Sequence, residues 1–202
     1  MKKSFFIIAF SATTSTFAQK IEIGAKGGAN FSSFTTTQTW VAAHVNTLIG
    51  FQAGGFCSFF LDKNSNVCLQ PEVLFSTQGV ELIEKSSLNA PFVEDDIHLY
   101  YLNFPLILKL RFDVGFYAEF GPQFGLLLGQ KSKSIDLIPK STDLSATIGA
   151  GFQTKKGLGF GARYTAGVFN TGDYKPGIGI VPVYKNEVLQ LSIYYTIFTN
   201  QK

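Results

Sequence analysis

Two groups of residues in this 202-residue chain have the types and spacing to do chemistry. The first is a pair of histidines, His44 and His98, with the acidic run Glu94-Asp95-Asp96 and several serines nearby. A histidine–carboxylate pair beside a serine activates the hydroxyl as a nucleophile. Three adjacent carboxylates suit a divalent cation or a bridge to lipid headgroups. No serine motif accompanies these residues, and acids in polar loops are ordinarily solvated, so no catalytic activity is expected. Two cysteines, Cys57 and Cys68, and two scattered histidines are too few for a metal centre. The glycine-rich stretches "GAKGGAN" and "GIGI" lack the following helix that a phosphate cradle needs. The reading is therefore of a non-enzyme with no cofactor and no metal.

The second group is seven ionised side chains set singly into apolar or small-residue stretches: Glu22, Lys26, Glu72, Lys109, Arg111, Glu119 and Arg163. Their meaning depends on the elements that carry them. Period-2 alternation recurs through the chain and marks eight strands, at residues 21–34, 47–61, 67–80, 97–112, 114–129, 142–154, 158–170 and 187–199. In "LNFPLILKLRF" the even positions are Leu102, Phe104, Leu106, Leu108, Leu110 and Phe112, and the odd positions hold Lys109 and Arg111. All seven charges fall on the polar side of such alternations.

The connections alternate long and short. Tight turns fall at residues 62–66, 112–113 and 155–157, and the other connections are long. In an antiparallel meander this puts every long loop at one end and every tight turn at the other. That is the polarity of outer-membrane barrels, with short periplasmic turns and long extracellular loops.

Which face meets which solvent follows from composition. Charged residues are only 15% of the chain, against roughly 25% in soluble domains. Aromatics are 15%, and 21 of them are Phe. The polar faces carry mostly Gly, Ser, Thr, Gln and Asn, which suit the crowded inside of a narrow barrel rather than a solvated surface. The strands, at roughly 12 to 16 residues, exceed those of soluble sheets and are long enough to span a bilayer when tilted. The apolar faces are then expected to point outward and the seven ions inward, as a mutually paired network, because an isolated buried charge costs several kcal/mol. The stretch at residues 41–61 carries no formal charge, but its period-2 pattern and polar residues argue against a spanning helix.

At the N-terminus, Lys2 and Lys3 precede an apolar run from Phe5 to Phe10 and a small-residue region ending at Ala18, the pattern of a secretory signal peptide over residues 1–18. The barrel domain is then residues 19–202. Losing Lys2 and Lys3 takes the net charge from +3 to +1, and no basic patch tracks a phosphate backbone, so nucleic acid is not an expected partner. In an oxidising compartment Cys57 and Cys68 could pair, but the simplest register puts them on opposite faces of one hairpin, and only a bulge would bring them together. Pro71 and Pro105 each remove a ladder donor; local bulges or water are expected at both.

Five stretches in order carry a family likeness: "GAKGGANFS" (24–32), "LQPEVLFSTQG" (69–79), "YLNFPLILKLRF" (101–112), "YAEFGPQFGLLLG" (117–129) and "GFGARYTAGVFN" (159–170). Together they resemble the outer-membrane β-barrel domain abundant in Bacteroidota, of the PorT-like type. The resemblance implies an eight-stranded antiparallel up-and-down transmembrane β-barrel in the cell outer membrane. One departure is at the end, where the chain continues past Phe198 with "TNQK". The expected role is structural or interaction-type in the cell envelope. Partners would be outer-membrane lipid and envelope or secretion proteins met through loops or turns. Two alternatives are a transport or secretion-apparatus component, and a secreted soluble barrel that binds an apolar ligand.

Overall fold

A computed structural model describes residues 20–36, 44–62, 64–85, 92–131, 137–139, 141–168, 172–174 and 184–201. The expected signal peptide lies outside them. Among the described residues ten strands form: β1 (Lys20–Thr36), β2 (His44–Phe60), β3 (Val67–Lys85), β4 (Phe92–Arg111), β5 (Phe116–Lys131), β6 (Leu137–Pro139), β7 (Thr142–Gln153), β8 (Leu158–Gly167), β9 (Gly172–Tyr174) and β10 (Tyr184–Gln201). The eight long strands pair antiparallel in chain order, and β10 returns to pair with β1 from Lys20↔Gln201 to Thr36↔Tyr184. The sheet is a closed eight-stranded barrel. The two three-residue strands pair with each other at the end opposite the tight turns, where β9 also touches β10. Residues 44–60, part of the uncharged stretch tested against a spanning helix, cross as strand β2.

Closure is what permits this wall to be greasy. Each long strand has a neighbour on both sides, so no row of N–H and C=O groups is left at an edge. Side chains alternate across the wall. Phe51, Ile148 and Ile193 point out and are 54%, 63% and 50% exposed, whereas Lys109 and Arg163 point in and are 1% exposed. On β4, Leu106 is exposed while Ile107 and Lys109 are buried. This polarity is inverted relative to a water-soluble barrel, and it overturns the alternative of a soluble barrel built around an apolar ligand.

Several elements differ from the sequence reading. Residues 84–96 are not all loop: β3 runs on to Lys85 and β4 begins at Phe92, so Asp96 pairs with Glu81 and Glu94 with Ile83. The alternation fails there because Glu94, Asp95 and Asp96 are three polar residues in succession, which a period-2 pattern does not contain. The prolines do not create bulges. The β3–β4 ladder runs to Pro71↔Leu106 and resumes at Leu74↔Asn103 in the same register. The β4–β5 ladder likewise skips from Pro105↔Gln123 to Leu108↔Phe120, opposite a third strand proline, Pro122. A missing donor deletes a bond without adding a residue, so the count of residues between neighbours is unchanged. Register shifts occur elsewhere, at Ile23/Gly24, Thr47/Gln52 and Tyr100/Tyr101. The cysteines are both free: Cys57 is part-exposed and paired with Ile23, and Cys68 is buried opposite Lys109.

Inside, near the tight-turn end, Phe56, Tyr117 and Tyr194 form an aromatic layer. Phe56 and Tyr194 meet edge to face at 5.6 Å between centroids, and Tyr117 and Tyr194 at 6.1 Å. The narrow lumen holds these rings because their ladder partners on the adjacent strands, Gly159 beside Tyr194 and Gly151 beside Tyr117, lack side chains. A Cβ on Gly159 would stand 2.1 Å from Tyr194 Cζ, and one on Gly151 2.3 Å from the Tyr117 hydroxyl. Gly159→Ala is therefore expected to force the Tyr194 ring aside and cost about 1–3 kcal/mol. Urea unfolding of the barrel in phospholipid vesicles measures this. If the clash is the cause, Gly159→Ala with Tyr194→Ala costs less than the two singles added together; simple additivity would refute it.

The β2–β3 turn is organised by Asp62. Its carboxylate accepts from Val67 N–H at 2.8 Å and from Asn66 N–H at 2.9 and 3.0 Å, while Ser65 takes a positive φ of 60°. These donors, Val67 first, hold the Asp62 carboxyl below its ordinary range. A depressed value in the folded state means that the stabilising contribution is in place at neutral pH and is lost as pH falls through the folded value. An NMR titration of the Asp62 carboxyl should give a midpoint below the usual ~3.9; a midpoint at or above that value would show that the turn does not hold the charge.

Candidate functional site

The seven ions named from the sequence all belong to the barrel interior, in two groups. Lys26 (β1), Glu72 (β3), Lys109 (β4), Glu119 (β5) and Arg163 (β8) form a cluster midway along the lumen. Arg163 is its hub. Its Nη1 and Nη2 donate to Glu72 Oε2 and Oε1 at 2.7 and 2.6 Å. Its Nε and Nη2 donate to Glu119 Oε1 and Oε2 at 2.5 and 3.0 Å. One planar fork thus grips two carboxylates, a task that guanidinium geometry suits and an ammonium cannot perform. Lys26 Nζ stands 3.6 Å from Glu72 and Lys109 Nζ 3.8 Å from Glu119. Lys109 also lies over the rings of Tyr117 and Tyr194, at 4.4 and 4.8 Å. Gln70, held by the Ser58 hydroxyl, donates to Glu72 at 2.5 Å.

Glu22 and Arg111 form the second group, nearer the tight turns. Arg111 Nη2 donates to Glu22 Oε2 at 2.7 Å and to Gln153, and its guanidinium lies over the Phe60 ring at 4.7 Å. Lys20 completes this group, 2.9 Å from Glu22. Sequence reasoning missed Lys20 by beginning the strand one residue late; its even position on the Glu22 side was the available signal. Phe56, Phe60 and Leu74 were missed for another reason. They are apolar residues on the inner parity, invisible to a rule that assigns apolar groups to the outside.

Above the cluster the lumen holds polar hydrogen bonds and one buried carboxylate, Asp143, which accepts from Ser145 Oγ at 2.6 Å. Asn30 Nδ2 donates to Ser76 Oγ at 2.9 Å, the Thr147 and Thr165 hydroxyls are hydrogen-bonded to each other at 3.0 Å, and Asn186 Nδ2 donates to Gln78 Oε1 at 2.5 Å. Between the aromatic layer and these bonds the five clustered ions are 1–6% exposed. Among the described residues the interior is lined and largely filled by buried polar side chains.

The histidine–acid group is not assembled as a site in the described residues. His98 is half-buried on β4, opposite Gly79 and Lys131. The side chains of His44, Glu94, Asp95 and Asp96 lie outside the described residues. Backbone register puts His44 and Glu94 on either side of Ile83, about 10 Å apart across two strand spacings.

An inverted, closed, eight-stranded antiparallel barrel with ions sealed inside and aromatics outside defines a β-barrel membrane protein of the bacterial outer membrane. The family comparison agrees: residues 17–172 match the model of the outer membrane protein beta-barrel domain, and the chain belongs to that family. No curated protein sequence matches it. Among solved structures, Neisserial surface protein A (NspA) superposes with a TM-score of 0.53 at 11% identity, covering 87% of this chain and 97% of that one. The outer membrane protein OprG from Pseudomonas aeruginosa gives 0.52 at 12% identity, covering 92% and 98%. At such identities the likeness is one of fold. The chain resides in the cell outer membrane, with its tight turns on the periplasmic side.

Removing one carboxylate from the cluster leaves three cations facing a single anion. Glu72→Gln is expected to cost about 3–5 kcal/mol, read from urea unfolding in phospholipid vesicles. Adding Lys26→Met should recover part of the loss. A double variant no more stable than Glu72→Gln would show that Lys26 is not held by Glu72.

Proposed function

We propose that this protein is a small structural or interaction-type barrel of the cell envelope, acting through its outer wall, loops and turns rather than through its lumen, and without catalytic activity. The observation that carries this is the lumen itself: an aromatic layer, a five-ion cluster and a hydrogen-bonded polar layer stand in series. A pore needs a wet path, and an active site needs reachable groups. Here the strongest donors and acceptors are committed to one another. Outer-membrane lipid is the partner of the apolar wall. Envelope or secretion proteins are the candidate partners of the loops and periplasmic turns. The five ordered motifs support placing the chain in the Bacteroidota PorT-like branch of its family.

Purified barrel reconstituted in planar lipid bilayers tests this reading. Heat-modifiable gel migration first establishes that the inserted protein is folded. The expected trace has no unitary current steps. Reproducible steps of constant size would defeat the proposal and favour a transport or secretion role.

A further inference from the structure

The periplasmic end of the barrel holds a cavity that the sealed lumen does not use. It measures about 380 Å³ and is lined by Lys20 and Glu22 of β1, Arg111 at the end of β4, Gln153 of β7, and Lys155 and Lys156 of the β7–β8 turn. This is within the range of small-ligand sites. It forms a cup at the tight-turn end: Arg111, on its lining, lies over the fully buried Phe60 ring at 4.7 Å, and the Phe56, Tyr117 and Tyr194 layer lies further in.

The cup has a strong charge bias. Four cations line it against one carboxylate, Glu22. That carboxylate is already engaged by Arg111 at 2.7 Å and by Lys20 at 2.9 Å. Lys155 and Lys156 form no ion pair among the described residues. Arg111 Nε is buried with no hydrogen-bond partner. The Arg111 side chain as a whole is part-exposed, so its guanidinium is within reach of the cup. The Arg111 fork is held in place by Glu22, Gln153 and the Phe60 ring, so little side-chain entropy remains to be lost when an anion arrives.

We propose that this cup binds a phosphate group. A tetrahedral oxyanion presents oxygens in several directions and carries enough charge to meet Arg111, Lys155 and Lys156 together. A carboxylate, with two oxygens in one plane, would satisfy fewer of them. At the periplasmic face the phosphate can come from an anionic phospholipid headgroup of the inner leaflet or from a free phosphate compound.

The test uses the folded full barrel, ¹⁵N-labelled, in micelles of the phosphate-free detergent lauryldimethylamine oxide. Inorganic phosphate is titrated at constant ionic strength against chloride. Saturable shifts are expected at the amides of Gly115 and residues 155–157, weakened at least tenfold in Lys155→Ala/Lys156→Ala. Both lysines are exposed turn residues, and heat-modifiable migration verifies that the variant is folded. A second arm places the protein in lipid nanodiscs with and without phosphatidylglycerol. If the same amides move with phosphatidylglycerol alone and free phosphate then adds nothing, the headgroup is the source. If they move only on adding free phosphate, the source is soluble. Shifts that chloride reproduces, that persist in the double variant, or that appear in neither arm overturn the proposal. None of these results depends on whether the barrel conducts.

Discussion

Hydrocarbon accepts no hydrogen bonds and solvates no ions, and nearly every feature of this protein answers to that. The backbone must satisfy itself, so the sheet closes from β10 onto β1. The outer wall must be apolar, so alternate residues of each strand are surrendered to lipid. The polar residues that remain have one place to go, a lumen too narrow for bulk water. Inside, they face the same shortage as in the bilayer, and they must pair with one another.

The Arg163 fork is the chief solution to that shortage. It ties β8 to β3 and β5 across the lumen, contacts that the backbone ladder cannot make because those strands are not neighbours. Lys26 and Lys109 add β1 and β4. The cluster is thus a set of struts between walls as well as a neutralisation of charge. Buried ion pairs are not inherently stabilising compared with apolar packing. Their value here lies in fixing which strands face each other across the barrel. The neighbouring aromatic layer is accommodated by a different route, with each tyrosine ring lying over a glycine on the adjacent strand.

At the periplasmic end the balance changes. Ions there can meet water, and cations outnumber anions in the cup. In the central cluster three cations share two carboxylates, whereas at the rim four cations line the cup against one. The lumen and the cup thus differ in how far their charged groups are committed to one another: Lys155 and Lys156 of the cup form no ion pair among the described residues.

Much of the fold is legible in the amino-acid sequence. Alternation through residues 102–112 sorts Leu106 from Lys109 because a strand has a period of two and each face has one solvent. The same parity puts Cys57 and Cys68 on opposite sides of their hairpin. Where a face stops being uniform the signal stops too, which is why residues 92–96 read as loop and Phe56 and Phe60 escape notice. The sequence by itself determined the sidedness of each strand and, through low charge and abundant Phe, which side meets lipid. It could not say that Arg163 would grip Glu72, 91 residues away, or that Gly159 makes room for the Tyr194 ring. Those depend on the stagger of strands around a closed barrel, a global quantity that no local pattern contains, and only the tertiary structure decided them.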